Sequence, residues 1–131
     1  MRQGATRLKL VLRVLLAAVM IAAGVFHFAK PAGFVEIVPA FLPAPEFLVL
    51  LSGVFEILGG AGLLYARTRR LASFGLIALF VAVFPANINM AWNDIQPDGA
   101  HVPTALLWLR LPLQAVFVLW AWWVGKPAET D

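Results

Sequence analysis

Glu56 and Arg110 are the residues whose chemistry conflicts most with their surroundings. Each lies inside a stretch of about 20 apolar residues, the length that crosses a bilayer. A lone carboxylate or guanidinium in hydrocarbon costs at least ~2.5 kcal/mol, even on the gentlest insertion scales. The two are therefore expected to face each other, or a wet pocket, within a helix bundle. A guanidinium there can hold an anionic or carbonyl oxygen, and a carboxylate can handle a proton. Five more polar side chains lie in stretches of this kind. Ser52 sits four residues before Glu56, and Gln114 four residues after Arg110, each pair on one helical face. His27 aligns with Ala23, and Asn87 and Asn89 follow Pro85. His27, Ser52, Glu56, Asn87, Asn89, Arg110 and Gln114 form the candidate ligand-binding set, with Glu56 the proton-handling candidate and no catalytic residue assigned.

Each has a plainer reading. A Glu56–Arg110 pair can serve only to fix helix register. His27 can bond a backbone carbonyl. The two asparagines can satisfy backbone groups freed by Pro85, which removes one donor and blocks the carbonyl of Val81. Asp94, Asp98 and His101 read as a solvated loop whose spacing is poor for a metal, so no metal site is assigned. Arg13 is expected to snorkel to the headgroups, and the tryptophans near the C-terminus to act as interfacial anchors.

These residues need a membrane frame. The 131-residue chain is 62% hydrophobic and 13% charged, with a mean hydropathy of +0.87. Soluble domains carry roughly 25% charged residues. One all-α domain with four spans is expected, at about 8–29, 46–65, 71–92 and 104–124: a polytopic four-helix bundle. The net charge of +3 does not indicate nucleic-acid binding, because the basic residues flank the spans. Arg2, Arg7, Lys9, Arg67, Arg69, Arg70 and Lys126 all fall on one side, which the positive-inside rule makes cytoplasmic, with both termini there. Tyr65, Trp120, Trp122 and Trp123 fall near that boundary and Trp92 near the other. The first span also resembles a signal peptide ending at Ala22-Ala23-Gly24, but its apolar run exceeds the usual 7 to 15 residues. The absence of cysteine excludes disulfides, thiolate metal sites and a thiol relay run by this chain alone.

Between the first two spans, Pro31, Pro39, Pro43 and Pro45 forbid a long helix. The run Phe34, Val35, Ile37, Val38, Phe41 and Leu42 is too apolar for a free loop. It should lie in the interface or fold over the bundle mouth. With each helix beginning flush at its boundary, His27 and Asn89 lie within ~5 Å of the outer surface, Asn87 and Arg110 at ~7 to 10 Å, and Glu56 and Gln114 near ~15 Å. The expectation is a polar funnel in the outer half above an apolar plug of Leu58, Leu63, Leu64, Leu76, Ile77 and Leu79. Such a plug counts against a channel. Without an internal repeat, a transporter is also disfavoured.

Several ordered motifs resemble the DoxX-like membrane proteins. They are His27-Phe28 with Pro31, Phe34, Ile37-Val38-Pro39 and Leu42-Pro43-Ala44-Pro45; Ser52-Gly53-Val54-Phe55-Glu56-Ile57 with Gly62-Leu63-Leu64; Phe84-Pro85-Ala86-Asn87-Ile88 with Met90-Ala91; and Leu107-Trp108-Leu109-Arg110-Leu111-Pro112-Leu113-Gln114. The resemblance runs from about Leu16 to Trp123. It implies a four-helix bundle associated, in some relatives, with quinone-linked redox systems, and in others with assembly or cargo handling. The cysteines of some relatives are absent here. The reading that follows is a pocket in the outer half of the bundle for a small or amphipathic molecule, with a quinone as the candidate cofactor, in the bacterial cytoplasmic (inner) membrane. The alternative is a non-enzymatic assembly partner whose polar core is structural. The expected partners are the lipid bilayer, a redox or assembly protein and, through the small pair Ala18 and Ala22, a second copy forming a homodimer.

Overall fold

The computed structural model describes residues 2–99 and 101–126, apart from the side chains of Arg2 and Asp98. The singled-out Asp98 carboxylate thus lies outside what is described. Among the described residues five helices follow in order: α1 (Arg2–Ala29), α2 (Pro31–Ile37), α3 (Pro45–Leu64), α4 (Arg69–Trp92) and α5 (Thr104–Val124), with a 3₁₀ turn at Pro97–Gly99 before α5. Four of them, α1, α3, α4 and α5, are long and apolar enough to cross a membrane, with mean hydropathies of 1.5 to 2.3. Between 11% and 22% of each apolar stretch is buried inside the bundle. Large side chains such as Phe26, Leu58, Val81, Trp92 and Leu119 point outward. An apolar surface this extensive is stable only against lipid, and the protein is an integral membrane four-helix bundle.

Helix ends follow local chemistry. Pro31 and Pro45 open α2 and α3, where a missing N–H costs nothing. α2 stops at Ile37, with Val38 extended ahead of Pro39. The apolar run thus divides into one short helix and a proline-broken return, as its composition requires. At the other end Arg69 and Arg70 belong to α4 instead of the turn. Arg69 Nε donates to Leu63 O at 2.8 Å and Thr68 Oγ1 to Gly62 O at 2.8 Å, satisfying carbonyls left open at the end of α3.

Around the bundle α3 lies between α1 and α4, and α5 between α4 and α1. The α1–α3 seam is built on glycine. A Cβ at Gly24 would stand 2.6 Å from the Gly53 carbonyl oxygen, and one at Gly60 would stand 2.8 Å from Ala17 O. Gly59 and Gly62 instead face α4, where Cβ atoms would meet Leu76 at 2.5 Å and Ala72 at 2.7 Å. Below, Leu16, Leu63, Leu76, Phe80, Ala121 and Val124 form the main core. A smaller cluster of Ile37, Met90, Ala91 and Leu107 lies at the α2 end.

Polar contacts tie α5 to its neighbours. Ser73 Oγ donates to Ala121 O at 2.7 Å, fully buried. Arg13 Nε donates to Val124 O at 2.9 Å and Trp120 Nε1 to Leu12 O at 3.0 Å. Beyond the snorkelling and anchoring expected of them, Arg13 caps α5 and Trp120 bridges α5 to α1. These bonds, with the Lys9 ammonium 5.7 Å from the Trp123 ring, place the start of α1 and the end of α5 together.

Candidate functional site

Glu56 does not pair with Arg110. Its Oε2 lies 3.1 Å from His27 Nδ1, both side chains being about nine-tenths buried. The cause is the glycine seam. Gly53 packs directly on His27 Cβ and on the Gly24 carbonyl. In an antiparallel pair each side chain leans toward its own N-terminus, so His27 reaches inward while Glu56, one turn further along α3, reaches outward. They meet between the two levels. α3 also runs beyond the end of α1, so placing both helix ends flush at one boundary set the two residues too far apart in depth. Arg110 stands on α5, diagonal to α3, and is exposed at the edge of the site.

The pair is unequal in its bonding. His27 Nδ1 donates to Ala23 O at 2.7 Å, closing the plain backbone bond expected of it. That hydrogen is already committed, so the carboxylate gains proximity to the imidazole but no aligned donor. Glu56 Oε2 is buried and without a hydrogen-bond partner. A buried polar atom left this way calls for an explanation. The Phe34 ring of α2 stacks on the His27 ring, with centroids 3.9 Å apart and planes at 15°, so α2 is the roof over this corner.

His27, Ser52, Glu56, Asn87 and Arg110 line one cavity of about 660 Å³. Two of the seven candidates stand elsewhere. Gln114 Nε2 donates to Phe80 O at 2.8 Å, while its Oε1 accepts from Asn87 Nδ2 at 2.9 Å. Asn89 Nδ2 donates to Ile37 O at 2.9 Å, pinning the end of α2 to α4. The expectation that the asparagines repair the break at Pro85 is therefore corrected: Gln114 reaches the backbone beside that break, and Asn87 orients Gln114. Replacing Gln114 by Leu is expected to strip both partners and to cost about 1–3 kcal/mol, read as a lowered unfolding midpoint in detergent. Ser52 lines the cavity, but its hydroxyl donates to Val49 O at 2.8 Å. Arg110 Nη1 contacts Met90 Sδ at 3.3 Å and makes no ion pair among the described residues.

Of the expected inner plug, Leu63, Leu76, Ile77 and Leu79 belong to or pack against the main core. Leu63 and Leu76 are fully buried there, but Leu58 and Leu64 point outward and Leu79 also lines the cavity. The cavity descends along Gly75, Ala78, Ala82 and Ala86 of α4. That small-residue face was readable as a helical spacing and was missed because the inner half was taken to be filled.

A family description, a domain of unknown function (DUF8561), matches residues 16–125. The chain belongs to this family. The matched span takes in the second half of α1, the whole of α3, α4 and α5, and every residue of the cavity. No curated protein and no solved structure matches the chain. For this DUF8561 member the site thus has to be read from its own geometry: among the described residues, an acceptor without a donor, a cation without a counter-ion, and an apolar chamber that both line.

Proposed function

We propose that this DUF8561 protein is DoxX-like in function as well as in motif, and that its cavity binds a small or amphipathic molecule, a quinone being the candidate, in support of a redox process of the bacterial inner membrane. The observation that carries this reading is that Glu56, whose buried Oε2 has no hydrogen-bond partner, lines the same cavity as Arg110, which makes no ion pair among the described residues. Arg110 would hold a carbonyl or anionic oxygen of the ligand. Glu56 would accept a hydrogen bond or proton from it, with His27 fixing the carboxylate and Asn87 lining the head-group corner. The cavity volume falls within the range of ligand sites, ~300–1,000 Å³.

The test is Glu56→Gln and Arg110→Met, each assayed for membrane insertion and for binding of decylubiquinol, the reduced form whose hydroxyl can donate to Glu56. Both are expected to insert and to bind at least about tenfold more weakly, the cost of one charge-assisted contact. Wild-type binding by both variants removes the pocket reading. The second reading, an assembly partner, is favoured by one observation: Phe41 is 80% exposed between Pro39 and Pro43 on the roof segment. That reading expects a stoichiometric protein to be recovered from native membranes, with Phe41→Ser abolishing its recovery.

A further inference from the structure

The shape of the chamber bears on how a ligand reaches it. α3 and α4 are pressed together at the inner end, where Gly59 abuts Leu76 and Gly62 abuts Ala72. Toward the outer end the same two helices part around the cavity, and α2 with the following segment closes the top through Phe34, Ile37 and Leu42. Leu51 and Phe55 of α3 and Ala78 and Ala82 of α4 line this cavity and are also exposed on the flank of the bundle. Side chains that are at once cavity wall and outer surface mark an opening, and on a membrane-spanning flank that opening faces acyl chains. The cleft from Asn87 down to Gly75 covers thirteen residues of α4, or ~18 Å of helix from first to last.

The polar groups sit at one end of this cleft and the lower wall is apolar. Resting on the pocket reading above, we infer that the site takes its ligand sideways from the bilayer: a single-chain amphipath whose head carries both a hydroxyl donor and an oxygen acceptor. The hydroxyl meets the Glu56 carboxylate at the cavity wall. The acceptor meets Arg110. The chain lies in the α3–α4 cleft against Ala78 and Ala82. A chamber of about 660 Å³ is sized for one such molecule.

A quinol and a monoacylglycerol share this chemistry, and the experiment separates them. Wild-type protein in phosphatidylcholine nanodiscs is titrated with decylubiquinol, with the same ring lacking its chain, with monodecanoylglycerol and with didecanoylglycerol. At least one decyl head group is expected to bind at least about tenfold more tightly than its chain-free or two-chain counterpart, because several methylenes leave the lipid-exposed surface for the cleft wall. Ala82→Trp, which fills the cleft from its lipid side, is expected to abolish that difference, and Ala78→Leu, a smaller obstruction, to reduce it. If the chain confers no gain, if Ala82→Trp and Ala78→Leu keep it, or if the two-chain probe binds as well, the sideways single-chain site is overturned while the pocket stands. If no probe binds the wild type at all, the pocket itself fails, and the cleft with it.

Discussion

Gly24→Ala is expected to destabilise the protein by about 2–3 kcal/mol, although it adds a single methyl group to a helix. The new Cβ would lie 2.6 Å from the Gly53 carbonyl oxygen, 2.6 Å from Ile57 Cγ1 and 3.2 Å from Ile57 N. Two of those three atoms are backbone and cannot turn aside, so α1 and α3 must separate. Helix propensity works the other way, since Ala is favoured over Gly inside a helix by up to about 1 kcal/mol. Gly75→Ala supplies the control: nothing lies within 4 Å of its Cβ position, and that variant should be unchanged or more stable. Denaturation followed by tryptophan fluorescence in detergent would show the difference. Equal stability of Gly24→Ala and wild type would mean that the glycine seam does not hold α1 against α3, and the placement of His27 beside Glu56 would lose its cause.

That seam also marks the boundary of what the sequence makes legible. The spans are set by runs of apolar residues, and the fourth, Thr104–Val124, coincides with its expected limits. The others differ only at their ends, where Arg69 and Arg70 lie within α4 and the start of α1 extends to Arg2. The roof was legible because four prolines and six apolar residues leave few alternatives. Partner choice was not legible. Charge and depth single out Glu56 and Arg110, but which helices adjoin depends on the glycine faces. Gly24, Gly53 and Gly60 set α3 against α1, whereas Gly59 and Gly62, one or two positions away, set it against α4. A residue's depth alone could not distinguish an adjacent histidine from a diagonal arginine. Ser73 was passed over for a related reason: a single hydroxyl in an apolar helix shows its role only when the carbonyl it caps, on α5, is known.

His27→Leu is expected to be the most damaging single change at the site, costing about 3–5 kcal/mol, because it leaves the Glu56 carboxylate buried with no compensating partner. The loss should reverse in large part in the double variant His27→Leu, Glu56→Gln, since a neutral amide needs no counter-charge and the leucine retains packing against Phe34. Arg110→Met separates this account from the one that charge counting favours. Were Arg110 the partner of Glu56, its removal would strand the carboxylate and His27→Leu would be mild. With the imidazole 3.1 Å from the carboxylate and the guanidinium at the open edge against Met90, the order is the opposite. Arg110→Met should change stability by no more than about 0.5 kcal/mol while weakening ligand binding, and His27→Leu should unfold first. Unfolding midpoints of the four proteins in one detergent decide between them, and an Arg110→Met protein less stable than His27→Leu would return the arginine to the core of the bundle.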